Sequence, residues 1–204
     1  MKGRSEYLFH DPIILQKRRQ ATIQEKRRRG VPQISVRTRP RNPTEGILEI
    51  EGKTFSCALG RTGTSAFKRE GDGATPIGVM RPLLAYYRGD RKPAGMARTP
   101  LPRRAIGPGL GWCDDPRDAN YNRPVRLPYP ASHEAMLRKD RLYDACIVLD
   151  WNMRPRRLGR GSAIFLHLAA PGMKPTEGCI AVGPRTMARL LPLLERGTRI
   201  RVWR

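Results

Sequence analysis

The stretch Ser162-Ala163-Ile164-Phe165-Leu166-His167-Leu168-Ala169-Ala170-Pro171-Gly172-Met173-Lys174-Pro175-Thr176-Glu177-Gly178-Cys179-Ile180-Ala181-Val182 decides how this chain is read. Ala163 to Leu168 is short and apolar, with an aromatic and a β-branched residue, and is bounded by Gly161 and Pro171-Gly172, which predicts a buried strand rather than a helix. His167 stands near the strand's far end. Pro171, Gly172 and Pro175 forbid regular structure on the way to Cys179, so the loop folds back and sets thiol beside imidazole. An imidazolium stabilises the thiolate, the form in which sulfur is nucleophilic, so the pair predicts a Cys–His ion pair at neutral pH. Gly178, without a Cβ, lets a carbonyl approach backbone N–H groups at the turn and form an oxyanion hole. A histidine and a cysteine packed in a core fit the same spacing, because free cysteine is among the most buried residue types.

Working outward, Cys146 to Asp150 reads as a second buried strand beside the first. Ile34 and Val36 alternate with polar residues. Gly46 to Ile50 and Lys53 to Leu59 read as a hairpin closed at Glu51-Gly52. Val79 to Tyr87 is a further strand. Pro184 opens a helix with Met187, Leu190, Leu191 and Leu194 on one face and a kink at Pro192. Thr198 to Trp203 sets Ile200 and Val202 against arginines, as in a final strand with one wet face. Ile106 to Gly111 reads as a loop, and 114–134, rich in Asp, Asn, Pro and Arg, as a long irregular insertion over the sheet. Within it His133 is either a substrate contact or the start of a helix capped by Ser132. The architecture expected is mainly β, with a basic extension over 1–33 and one domain over 34–204.

The formal net charge of +22 invites a nucleic-acid reading. The excess is +9 over residues 1–43 and +13 over the rest, so it is densest in the first segment and present throughout. No RNP1 pattern or zinc-finger spacing accompanies it, and at 6% aromatic residues base-stacking platforms are not expected. A basic surface attracted to anionic cell-envelope polymers is the simpler account, and no specific nucleic-acid partner is expected; a polyanion-binding module with an inert Cys179 is the alternative. The four cysteines, Cys57, Cys113, Cys146 and Cys179, form no CxxC, so no metal site is expected. Cys57 and Cys146 fall in strand-like runs and read as core, while Cys113 reads as exposed or disulfide-bonded. No apolar run is long enough for a transmembrane helix, and Ile13-Ile14-Leu15 is too short for the apolar region of a signal peptide. Gly60 to Gly78 is a glycine-rich loop without a phosphate-loop signature. It borders a peptide groove with Lys68 and Arg69 open to substrate carboxylates, or is a solvated connection.

Thr176-Glu177-Gly178-Cys179 with the upstream His167 resembles the active-site signature of the L,D-transpeptidase (YkuD-type) catalytic domain. Gly60-Arg61-Thr62-Gly63 and Lys68 to Gly78, with Thr75-Pro76-Ile77-Gly78 at its end, resemble that family's glycine-rich stretch. Gly111-Trp112-Cys113-Asp114-Asp115, Asn120-Tyr121-Asn122 and Ser132-His133-Glu134 resemble a subgroup of it, and the similar blocks span Ile34 to Arg204. Glu177 stands where many relatives have histidine, and the His-to-Cys interval is shorter than in most. The resemblance implies a β-sandwich with one or two helices and long loops. It implies a cell-envelope acyltransferase of peptidoglycan biosynthesis, cell wall biogenesis and cell shape, needing no cofactor and acting on peptidoglycan stem peptides through an acyl-enzyme, or an L,D-carboxypeptidase if water is the acceptor. Cys179 is then the nucleophile and His167 the proton donor and acceptor. Gly178, Glu177, Thr176, Lys68, Arg69 and His133 are the oxyanion- and substrate-binding candidates, and a backbone carbonyl or Asp114/Asp115 would orient His167. A carboxylate at Glu177 favours the imidazolium and opposes the thiolate, so its neutralisation is expected to move the active pH window toward acid.

Overall fold

The computed structural model describes residues 32–204. The basic extension expected over 1–33 lies outside them except for its last two residues, and Gln33 already pairs with Arg199. Fifteen strands follow in order among the described residues: β1 (Gln33–Arg39), β2 (Asn42–Ile50), β3 (Lys53–Ala58), β4 (Thr64–Ser65), β5 (Thr75–Pro76), β6 (Gly78–Met80), β7 (Pro82–Tyr87), β8 (Arg103–Ala105), β9 (Leu110–Cys113), β10 (Arg123–Arg126), β11 (His133–Ala135), β12 (Ala145–Leu149), β13 (Phe165–Leu168), β14 (Ile180–Val182) and β15 (Arg199–Trp203). One α-helix, α1 (Pro184–Leu190), precedes β15. The molecule is mainly β.

Ten strands form one mixed sheet in the order β6-β15-β1-β2-β3-β14-β13-β12-β7-β8. Only Arg81 separates β6 from β7, yet β6 is the first strand and β7 the ninth in that order. The sheet must therefore curl until its ends approach. Its inner face then closes on a single core, which takes Ile34 and Val36 from β1, Leu48 from β2, Ile147 from β12, Leu166 from β13, Val182 from β14 and Ile200 from β15. Met187 and Leu190 of α1 seal one side. Pro184 starts the helix where its missing N–H costs nothing, and Pro192 falls in a 3-10 turn over Leu191–Leu193 that ends it. The β2–β3 turn is as expected: Glu51 and Gly52 both have positive φ, 49° and 71°, as a two-residue hairpin of the twist-matched type requires.

A second, smaller sheet, β10-β9-β11, lies over the other face of β7, β12 and β13. Trp112, Met136 and Tyr143 pack there against Tyr86, Val148 and Phe165. The loop expected over 106–111 and the irregular insertion expected over 114–134 are corrected here, because between them they supply most of this sheet. Pro124 is tolerated because β10 is an edge strand, and Asp, Asn and Pro between strands hide the alternation. His133 lies in β11, opposite Cys113, and does not start a helix. Cys57, Cys113 and Cys146 are all fully buried free thiols, so Cys113 is neither exposed nor disulfide-bonded.

Candidate active site

Two strands bring His167 and Cys179 together. β13 and β14 are adjacent and parallel, with Leu166 opposite Ile180 and His167 opposite Ala181. The loop between them returns the chain to the start of β13, so Cys179 arrives beside Phe165. Side chains alternate along a strand, so Phe165, His167, Cys179 and Ala181 share one face, the one the smaller sheet covers. Both residues line a cavity of about 260 Å³ walled by Glu70, Asp114, Glu134, Arg138, Tyr143 and Ser162 among others.

The thiol is buried and held by backbone. Cys179 Sγ donates to Ala163 O at 3.2 Å and accepts the Phe165 N–H at 3.4 Å. Ala163 presents that carbonyl from a left-handed conformation, φ 52°, unusual for a residue with a Cβ. Its N–H donates to Asn122 Oδ1 at 3.0 Å. Asn122 is itself buried, takes the Trp112 indole N–H on the same oxygen, and donates to the carbonyls of Trp151 and Asn152. His167 Nδ1 lies 2.8 Å from Leu168 O, an atom that can only accept, so Nδ1 carries the proton and Nε2 is left to take one. A backbone carbonyl, not Asp114 or Asp115, thus orients the ring. Tyr143 packs edge-on against it with centroids 5.4 Å apart.

Electrostatics overturn one expectation. Burial pushes the Cys179 thiol up to about 12, with the Glu134 charge adding to it; the Phe165 N–H, Lys68 and Arg138 oppose. Burial also pulls His167 down to about 4, with the Leu168 carbonyl resisting. Burial thus favours the neutral thiol and the neutral imidazole over the ion pair expected from sequence, because desolvation is the largest influence on each group.

The turn before Cys179 is tied to the glycine-rich stretch. Thr176 Oγ1 donates to Cys179 O at 2.7 Å and accepts the Gly178 N–H at 3.2 Å, and Thr75 Oγ1 donates to the same carbonyl at 3.0 Å. Gly178 has φ 129°, and a Cβ there would stand 2.9 Å from Ala74 O. At Gly60 a Cβ would meet Gly73 O at 2.3 Å. Of the backbone N–H groups at this turn, that of Gly178 is engaged by Thr176. The glycines serve close approach of backbones.

Of the candidates read from sequence, His167, Cys179, Thr176 and Glu177 line the cavity, and Gly178 shapes the turn. Glu177 is largely exposed and paired with Arg61 at 2.8 Å. Lys68, Arg69 and His133 do not line it. Lys68 is buried and bonded to the Asp72 carboxylate and Arg69 O, Arg69 is exposed, and His133 Nδ1 meets Ala131 O. Sequence reasoning gave no role to Glu134, Arg138 or Tyr143. Arg138 Nη1 and the Tyr143 hydroxyl both donate to Glu134 Oε1, at 3.0 and 2.7 Å. Burial raises the Glu134 carboxyl above its usual range. Period-two alternation was the available signal: Glu134 pairs with Trp112, which packs on Phe165 at 5.2 Å, so Glu134 and not His133 shares the covered face.

The model of the YkuD L,D-transpeptidase catalytic domain matches residues 47–202. This chain belongs to that family. Among solved structures, an L,D-transpeptidase from Mycobacterium smegmatis is similar with a TM-score of 0.40 and 12% identity, over 85% of this chain and 59% of that one. No match was found among curated proteins. No helix among the described residues is long and apolar enough to cross a membrane.

Proposed function

We propose that this chain is a cysteine-dependent L,D-transpeptidase of the cell envelope, acting on peptidoglycan stem peptides through a thioester intermediate on Cys179. The observation that carries the reading is the placement of Cys179 and His167 on one face of adjacent parallel strands, in one small cavity, with Nε2 of His167 free to accept a proton. The pair rests neutral, so proton transfer accompanies attack. As Sγ adds to the carbonyl at the L-centre of a diamino-acid residue, His167 Nε2 takes the thiol proton. Collapse of the tetrahedral species breaks the C–N bond, and His167 returns that proton to the leaving D-amino acid. An acceptor amine then gives a proton to His167 as it attacks the thioester, and the thiol recovers the proton as it leaves. Water in place of the amine yields an L,D-carboxypeptidase. A groove of about 730 Å³ adjoins the cavity, sharing Leu142 and Ala170, and offers room for the rest of the peptide.

The test is incubation with a purified stem tetrapeptide, with and without an amine acceptor, followed by intact-protein and product mass analysis. The expected result is a mass gain on Cys179 equal to the tripeptide acyl group, release of the terminal D-amino acid, and an acceptor-dependent amide product. Absence of any Cys179 adduct, with the peptide unchanged, overturns the proposal.

A further inference from the structure

The cavity carries a charge pattern opposite to that of the chain. The protein has a net charge of +22. Yet Glu70, Asp114, Glu134 and Glu177 line the cavity against Arg138 and Lys174. Three of these carboxylates are engaged: Glu70 by the Tyr121 hydroxyl, Glu134 by Arg138 and Tyr143, and Glu177 by Arg61. Asp114 has no ion pair or side-chain hydrogen bond among the described residues, and its Oδ1 is buried. Lys174 is exposed and pairs with no carboxylate there.

Ser162 is the second observation. Its residue is 7% exposed, and its Oγ has no hydrogen-bond partner among the described residues. Asp114 Oδ1 and Ser162 Oγ are the two buried side-chain polar atoms without a partner among the described residues, and both residues line this one cavity. Buried polar atoms are normally satisfied, so two orphans in one small space mark where a ligand supplies donors. A carboxylate only accepts and a hydroxyl can accept, so the matching group is a pure donor bearing positive charge, which describes a primary ammonium.

We propose that Asp114 and Ser162 form a subsite for a primary ammonium group inside the catalytic cavity. The ligand is the side-chain amine of the donor residue. An acceptor amine must lose its proton to attack, whereas a neighbouring carboxylate stabilises the protonated form. The subsite therefore suits an amine that is held and does not react. Assigning it to the donor rests on Cys179 being the acylated residue; the subsite itself does not.

The experiment titrates the ¹⁵N-labelled full chain with Nα-acetyl-L-lysine methylamide and with its Nε-acetylated counterpart, for the parent, Asp114→Asn and Ser162→Ala, following amide shifts around the cavity. The expected result is that the parent binds the ammonium probe about tenfold tighter than the acetylated one, the size of one charge-assisted contact. Asp114→Asn should bring that ratio close to one, and Ser162→Ala should lower it partway. Both changes are near-isosteric at atoms without partners, so folding is retained, and the amide spectrum reports it. Equal binding of the probes by the parent, no binding of either at millimolar concentration, or a ratio unchanged in Asp114→Asn overturns the proposal. Stem tetrapeptides with lysine or norleucine at the third position, scored by Cys179 adduct mass, separate the two readings. Probe discrimination without any adduct leaves the subsite standing and removes the transpeptidase assignment, whereas equal adduct rates for both peptides overturn the donor-amine role.

Discussion

β12, β13 and β14 present two faces that differ in kind. Toward the core they offer Ala145, Ile147, Leu149, Leu166, Leu168, Ile180 and Val182, a purely aliphatic surface. Toward the smaller sheet the alternate positions offer Cys146, Phe165, His167 and Cys179, met by Tyr143 and Trp112. The first face is indifferent to which aliphatic group fills which place, provided volume is kept. The second depends on single atoms: one carbonyl on Nδ1, one left-handed alanine under the thiol, one carboxylate bridged by an arginine and a tyrosine. Rigid strands thus allow chemistry on one side because the other side is inert packing.

Substitutions that exploit the comparison fall in a clear order. Cys179→Ala removes the proposed nucleophile and should abolish turnover with folding intact; acyl transfer by this variant would refute the covalent route. His167→Ala should cost on the order of 10²–10⁴ in kcat/KM, the usual size of a general acid–base contribution, and a rate within twofold of the parent would make His167 structural. In the parent, His167 accepts protons only when neutral. Its depressed pKa of about 4 keeps it neutral well below the ordinary 6.5, so the acid limb of kcat/KM should lie near pH 4. The same shift makes the fold lose stability as pH falls from about 6.5 to 4, because the unfolded chain binds a proton there that the folded one does not.

Leu166→Ala, one residue away but on the core face, should lower stability by about 2–5 kcal/mol in denaturant unfolding while turnover per folded molecule is kept. Loss of turnover with stability unchanged would break the separation of faces. Glu134→Gln removes the negative charge that raises the Cys179 thiol and frees Arg138 to act on it. The pH profile of Cys179 alkylation should therefore move toward acid, and a move toward alkali would show the opposite sign of coupling. Glu177→Gln should have the smallest effect. Its carboxylate is 78% exposed and paired with Arg61, so screening removes most of its reach, and the shift toward acid expected from its sequence position should be barely measurable in low salt.

What was legible in the sequence was local and periodic. The β2–β3 hairpin, α1 and its break at Pro192, the alternation of β15, and the strand–loop–strand unit carrying His167 and Cys179 all follow from patterns a few residues long. The smaller sheet was not legible, because Pro124 and the Asp- and Asn-rich turns interrupt alternation in strands only three or four residues long. The choice of His133 over Glu134 failed because a titratable residue attracts attention whichever face it occupies, and only pairing with β9 fixes the face. The charge state of the Cys–His pair was hidden for a different reason. Proximity can be guessed from a loop length, but desolvation depends on the cover laid over the site by distant residues such as Trp112 and Tyr143.

That cover sets how the sulfur behaves between turnovers. Burial holds the Cys179 thiol well above the ordinary cysteine range, so less of it is ionised at pH 7 than the few per cent of an unperturbed cysteine. Peroxide and stray electrophiles attack the thiolate, and the ladder from sulfenic to sulfonic acid begins there. A thiol kept neutral against Ala163 O is thereby less open to oxidation while idle, and in the proposed mechanism its reactivity is released when a bound carbonyl and Nε2 of His167 act on it together.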